Sequence, residues 1–446
     1  GLFQHGLGWR CELRLLHTDG SVAWHQDRLD LRDATEAICA IDIGTSATGL
    51  GPSAECAAHP DPTPDWDALC AAQAAAIQRH LGACRVAVPG LDRDLPTDER
   101  LADLRAGTPD PGLPLLYFHY GRYLLLASSA TGQLPANLQG KWNQDLDPAW
   151  QCDYHHDINL QMSYWPAEAS NLTATTEALF RHIERFVPHG RKAARDLYGC
   201  DGVYLPLQTD CWGRATPESW GWAAWIGAAA WLAQHMWWHY EYGLDRDFLR
   251  RRAYPFFREV AAFYDSYLIA DADGHLQIVP SQSPENRFVG GEQSAPVSLG
   301  VSATMDVQLA RNAFDYAIRA AEILDADDAA RARWQDLRDR LPSLRIGARG
   351  QLQEWNEDFA EAEPHHRHTS HLIDLHPGDA LDPERTPELW AAARRSLELR
   401  LEAGGGHTGW SRAWTACMFA RLGDAEAAWE HLVHLLTDFA TDSLLD

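Results

Sequence analysis

At 446 residues, 46% hydrophobic and 23% charged, the chain is long for one ordinary domain and too apolar for disorder, so two or three packed units are expected. Its 63 acidic against 38 basic side chains leave a formal net charge of -25. That balance argues against a nucleic-acid or anionic-membrane partner, which needs a basic face, and is compatible with a neutral glycan. No apolar run approaches the roughly 18 residues of a membrane helix. The nine cysteines are scattered, odd in number and without a C-x-x-C pair, and indicate neither a disulfide framework nor a zinc knuckle.

Residues 9–47 read as strands, with Asp19-Gly20 as a hairpin turn between two extended runs and alternation again from Ala37 to Ala47. They predict a remnant of a β domain over 1–60, too short to be a β-sandwich alone, followed by a Pro-rich bend at 59–66 with a domain boundary near Pro60. An Ala-rich helix from Trp66 to Cys84 opens a helical linker over 61–111. From Gly112 to the end, helices alternate with loops rich in Gly, Pro, Asp and Asn.

Leu115, Phe118, Gly121, Leu124 and Leu125 recur at helical spacing. Asn171 is placed to cap a helix through Ala178, Phe180, Ile183 and Phe186. Trp220 to Tyr242 predicts another, and Asp245 caps the next, through Phe256 and Phe257. Met305, Leu309, Ala313, Tyr316, Ala320 and Ile323 form a further stripe. Helices over about Glu388–Leu401, Trp410–Arg421 and Ala425–Phe439 complete the set. Helices in sequence, with no strand runs between them and no fixed repeat, predict a mainly α chain whose 112–446 region is a closed α/α toroid. A first residue other than Met and an apolar final segment suggest that both ends are cut, the toroid included.

The polar residues gather in the loops. Residues 150–168, WQCDYHHDINLQMSYWPAE, mix titratable groups and amides with flat rings, the combination that holds a sugar through its C–H faces and hydroxyls. An amphipathic helix start with a buried aromatic face is the alternative for that stretch alone. PANLQGKWN (135–143), LQTDCWGR (207–214), PSQSPENRF (280–288), QEW (353–355), HHRHTSH (365–371) and GGGHTGWSRAW (404–414) follow, one polar-aromatic loop after another. A toroid gathers such loops at one end of its axis. His365, His366, His368 and His371 lack the companion ligands of a zinc site, and no metal or cofactor is expected.

Together these loops resemble glycoside hydrolase family 95, the inverting α-L-fucosidases with an (α/α)6 barrel behind a β domain. PANLQGKWN, DYHHDINLQMSYWPAE, SPENRF, QLQEW, HRHTSHL and TGWSRAW look like its motifs, in its order, over about 110–446. The resemblance implies that Glu285 is the general acid. It implies that Asp157 and Asn159, where the family carries Asn-x-Asn, hold the attacking water. It places His155, His156, Trp212, Arg367 and His368 around the sugar of a fucosylated oligosaccharide or polysaccharide, and implies a periplasmic or secreted setting. An inverting enzyme needs the acid to keep its proton, which burial beside rings can arrange, and a base across the sugar.

Three departures accompany the resemblance. The family's later Q-I-D-G-N-F motif, with its catalytic Asp, is absent, so this stretch alone is expected to have little or no hydrolytic activity. Asp157 replaces the first water-holding Asn. His156 stands where many members carry Thr, which raises α-L-galactosidase activity as an alternative, since a polar group there suits a C6 hydroxyl. A non-catalytic glycan-binding protein on the same scaffold is the third reading. Asp157 is expected either to share the base role or to cap the helix that follows it.

Overall fold

The computed structural model describes residues 6–46, 51–58, 62–63, 65–91, 93–130, 134–219, 221–290 and 292–445. The chain divides into two compact units, Gly1–Cys84 and Arg85–Asp446. The domain boundary expected near Pro60 falls on residues outside those described.

In the first unit, β1 (Trp9–Thr18) pairs antiparallel with β4 (Ala37–Thr45), and β2 (Ser21–Trp24) pairs with β3 (Leu29–Arg32). The two runs flanking Asp19-Gly20 therefore do not form a hairpin with each other, contrary to expectation. The Asp19 carboxylate instead accepts from the Thr35 and Glu36 amides at 2.9 and 3.0 Å, tying the end of β1 to the start of β4. Alternation in β4 turns Ile41 and Ile43 outward and Ile38 and Gly44 inward. Gly44 lies against the helix Pro52–Ala57, where a Cβ would come within 2.3 Å of the Pro52 carbonyl oxygen. The Ala-rich helix forms over Trp66–Leu81, with Asp65 accepting from the Ala68 amide as its cap.

The second unit is built from helices. The principal ones are Thr97–Arg105, Leu113–Ser129, Thr176–Ala193, Ala228–Gly243, Tyr254–Tyr267, Thr304–Leu324, Asp328–Asp339, Pro387–Glu402, Gly409–Arg421 and Ala425–His434. Their burial divides them into inner and outer members. Every residue from Ala228 to Trp237 is buried, as expected of a helix apolar all round. Asp328–Asp339, packed on Thr304–Leu324, buries only Trp334 and Leu337. Met305, Leu309, Ala313, Tyr316 and Ala320 form the expected buried stripe. No helix among the described residues is long and apolar enough to cross a membrane.

Several local expectations change. The 113–129 helix buries Arg122, Leu125, Leu126 and Ser129, whereas Phe118 and Gly121 are exposed. The buried stripe is thus turned relative to the expected one, and Arg122 donates from Nε to the Ser170 carbonyl. Asn171 is no helix cap: it adopts a left-handed φ of 58°, and the next helix begins only at Thr176, after a short turn over Thr173–Thr175. Asp245 does cap, accepting from the Asp247 and Phe248 amides. The helix expected from Trp220 starts at Ala228. Trp220 is outside the described residues, and a turn with Gly221 at φ 83° precedes buried Trp222 and Trp225.

Candidate active site

Three successive left-handed residues, Trp150, Gln151 and Cys152 (φ 48°, 58° and 51°), turn the chain into β5 (Tyr154–His155), which pairs with β6 (Gln208–Thr209). This ladder sets the 207–214 loop beside the 150–168 segment. Asp153 is clamped between the two: Oδ2 accepts from Gln208 Nε2 at 2.7 Å and Oδ1 faces His155 Nε2 at 3.0 Å. Burial alone lowers the His155 pKa, but the Asp153 hydrogen bond, with the Asp157 and Glu285 charges, outweighs it and raises the value.

Asp157 is buried, and neither carboxylate oxygen accepts a hydrogen bond from a described residue. It is not the cap of the following helix, Asn159–Tyr164, which has no side-chain cap bond. Asn159, half-buried, opens that helix.

Glu285 sits in a loop held from behind. Ser281 Oγ donates to Asp306 at 2.6 Å and Ser283 Oγ to Glu354 at 2.8 Å, while Ser370 Oγ donates to the Pro284 carbonyl. The Glu285 carboxylate meets Arg367 Nη2 and His368 Nε2, each 3.3 Å from Oε2. Trp410 lies behind both, 4.7 Å from the His368 ring centroid to centroid and 5.9 Å from the Arg367 guanidinium carbon. One oxygen of Asp157, one of Glu285 and a His368 nitrogen all lie within 4.8 Å of one another. These three groups could ligate a cation by type, but Arg367 already brings positive charge to the Glu285 oxygen.

The electrostatics of the two carboxylates diverge. Burial pushes Glu285 up, yet the His368 hydrogen bond and the His368 and Arg367 charges overcome it and hold the carboxyl down at about 2. Asp157, buried and facing the Glu285 charge, is raised to about 6, against the lowering effect of His368 and His155. Burial was expected to keep Glu285 protonated. The Arg367 and His368 contacts outweigh burial instead, and Asp157 is the carboxyl with the stronger hold on a proton.

Glu285 also lines a chamber of about 260 Å³ with Trp222, Arg287, His366, Arg367 and His407. A cavity of about 300 Å³ beside Trp355, Arg345 and Asp271 contains none of the expected site residues.

The site thus gathers Glu285, Asp157, Arg367 and His368, with His155 alongside. Trp212 is exposed on the loop after β6, where Asp210 fixes the turn by accepting from the Trp212 amide at 2.8 Å. His156 departs from its expected place. It is fully buried, with Nδ1 against the Pro206 carbonyl at 2.9 Å and Nε2 against His182 Nε2 at 3.2 Å. Burial lowers its pKa to about 4, so it is a neutral core imidazole with both nitrogens engaged and none free for a sugar hydroxyl. Asp153, Glu354 and Arg400 are the members of the surrounding network to which the sequence reading gave no role. Arg400 had one sequence signal: it continues the helical stripe of Ala393, Ser396 and Leu397.

Packed helices whose loops bring two carboxylates together fit a helical-toroid glycoside hydrolase. Residues 65–446 match the glycosyl hydrolase family 95 catalytic domain, and the chain belongs to that family. It is 38% identical over 342 residues to "Alpha-L-fucosidase 2" of Arabidopsis thaliana, covering 76% of this chain and 40% of that protein. It is 31% identical over 363 residues to "Probable alpha-fucosidase A" of Aspergillus niger, covering 78% of this chain and 45% of that one. The chain therefore spans less than half the length of these curated relatives. Among solved structures, it is similar in fold to "Putative kojibiose phosphorylase from human microbiome", with a TM-score of 0.50 and 10% identity over 73% of this chain and 51% of that one. That likeness supports the (α/α)6 toroid and carries no inference about activity.

Proposed function

We propose that this chain carries the acid side of a glycoside-hydrolase site that removes terminal α-L-fucosyl residues from oligosaccharides or polysaccharide side chains with inversion of configuration. The observation that carries the reading is Glu285, held by Arg367 and His368 on the wall of a sugar-sized chamber. Glu285 protonates the departing glycosidic oxygen. Its low pKa is compatible with that role, because a carboxyl 3.3 Å from an imidazole nitrogen can share a proton with it. A sugar that displaces water from the chamber disfavours the charged pair and moves the proton toward Glu285.

Asp157 and Asn159 orient the attacking water. Inverting carboxyl pairs stand about 6.5–9.5 Å apart, with the water between them. Asp157 has an oxygen within 4.8 Å of a Glu285 oxygen, too close for the opposing base of an inverting pair, so its part is to orient the water and not to take its proton. The buried, doubly bonded His156 removes the reason for preferring L-galactose, and fucose is the better-supported sugar.

In the full-length protein, Glu285→Gln is expected to lower turnover of a disaccharide by about 10²–10⁴-fold and to spare aryl fucosides with good leaving groups, which need little protonation. Equal losses on both substrates would remove Glu285 from the acid role.

A further inference from the structure

Behind the site lies a buried ion pair that neither lines the chamber nor reaches the reacting groups. Glu354, of the QEW segment, and Arg400, in the last turn of the helix Pro387–Glu402, meet at 3.0 Å, with side chains 4% and 3% exposed. The Glu354 carboxylate accepts from Ser283 Oγ at 2.8 Å and from Asn286 Nδ2 at 3.2 Å, so it holds the residues on both sides of the Pro284-Glu285 step. Arg400 Nη1 donates to the carbonyls of His366 and His368 at 3.0 and 2.8 Å, the residues on either side of Arg367. Arg400 Nη2 also meets Glu361 at 2.9 Å, and Glu361 accepts from Asn286 at 3.2 Å. A planar guanidinium with five donors in a fixed fork is suited to joining two carboxylates and two carbonyls at once.

We infer that Glu354 and Arg400 are positioning residues that fix the separation between Glu285 and the Arg367–His368 pair, and so decide how readily the acid holds its proton. The inference rests on the reading of Glu285 as the acid. One loop contributes the carboxyl, another contributes the two cationic partners, and this ion pair joins the loops from behind. If the tie loosens, Glu285 drifts from Arg367 and His368 while remaining buried, and its proton affinity rises.

The test uses the full-length protein carrying Glu354→Gln or Arg400→Lys. Each variant is assayed for turnover of a fucosyl disaccharide and an aryl fucoside across pH, and for hydrogen–deuterium exchange over 281–288 and 365–371. For both variants, kcat on the disaccharide is expected to fall about 10²-fold, because a displaced Glu285 no longer meets the leaving oxygen even though it keeps its proton more readily, with KM within about threefold. The limb of the pH profile that Glu285→Gln abolishes should move to higher pH, the aryl fucoside rate should change far less, and exchange should rise in the two loops alone. Equal losses on both substrates, with an unmoved limb and unchanged loop exchange, would reduce the pair to a structural role and overturn the inference. The exchange measurement needs no turnover, so it judges the tie even if the wild-type protein proves inactive. In that case the acid reading fails, while unchanged protection in the variants would overturn the tie separately. Should both variants fail to fold, Ser283→Ala removes one bond of the network and is expected to act in the same direction by about threefold; no movement of limb or exchange would again overturn the proposal.

Discussion

The two carboxylates that face each other in the site are supported in opposite ways. The 281–288 loop is anchored by buried acceptors, Asp306 under Ser281 and Gln282, and Glu354 under Ser283 and Asn286, and its Glu285 is paired with Arg367 and His368. The 153–159 segment is anchored at Asp153 and His155, but Asp157 itself receives no hydrogen bond from a described residue. A buried carboxylate without a donor is unfavourable unless a ligand or a proton satisfies it. The contrast assigns different work to the two: Glu285 is held in place by the protein, and Asp157 is left for whatever occupies the space between them.

The largest effect should come from removing the anchor on the better-held side. Asp306 is fully buried and accepts from Ser281 Oγ at 2.6 Å and from the Gln282 amide at 3.2 Å. Asp306→Ala strands both donors, and a loss of about 2–4 kcal/mol is expected from chemical denaturation. A loss under about 0.5 kcal/mol would mean that the loop is held by its other contacts, and the comparison would weaken.

How much of this was readable beforehand follows from the kind of residue. Most helices and the 305–320 stripe are legible because apolar periodicity carries them, whereas the buried face of 113–129 is not; Glu285, Arg367 and His368 stand out as candidates because they occur in compact motifs. The anchors do not. Asp306 lies in the first turn of a helix, where an acidic residue ordinarily complements the helix dipole at the surface. Arg400 lies in a last turn, where a basic residue does the same. Only tertiary packing distinguishes such residues from solvated ones. His156 lies inward for a related reason: it follows the two-residue strand in a turn where its amide donates to the Leu207 carbonyl at 2.7 Å and its ring packs on His182 and Phe186, a placement set only by tertiary contacts. The low pKa of Glu285 was hidden because its cause, the Arg367–His368 pair, comes from a loop some 80 positions later.

The bare side of the comparison is tested by Asp157→Asn. The folded protein holds the Asp157 proton up to about pH 6, whereas an unfolded Asp releases it near 3.8. Its contribution to stability is therefore fully present below about pH 4 and is lost as pH rises through about 6. The variant lacks that loss. It should be more stable than the parent at pH 8, by about 1–3 kcal/mol, and should lose this advantage at pH 4. Taking the difference between the two proteins at each pH cancels the other buried groups, including Asp306 and Asp374, which shift in the same direction. A pH-independent difference would mean that Asp157 is already satisfied in the folded protein.

The smallest effect on the fold is expected at Trp212, and it separates sugar contact from scaffold. The indole is 47% exposed, so little packing is lost on truncation. Its loop is built without it: Asp210 accepts from the Trp212 and Arg214 amides at 2.8 and 3.3 Å and pairs with Arg214 Nε at 3.1 Å, none of which uses the ring. Trp212→Ala should therefore change stability by no more than about 0.5 kcal/mol. An exposed ring on a rigid loop, one ladder away from His155, is suited to stacking on a sugar face. In the full-length enzyme the same variant is expected to raise KM for fucosides about tenfold, equivalent to about 1.4 kcal/mol of binding, with kcat nearly unchanged. If KM stays at the parent value while stability also holds, Trp212 lies outside the sugar's reach and the binding face is confined to the Glu285–Asp157 side.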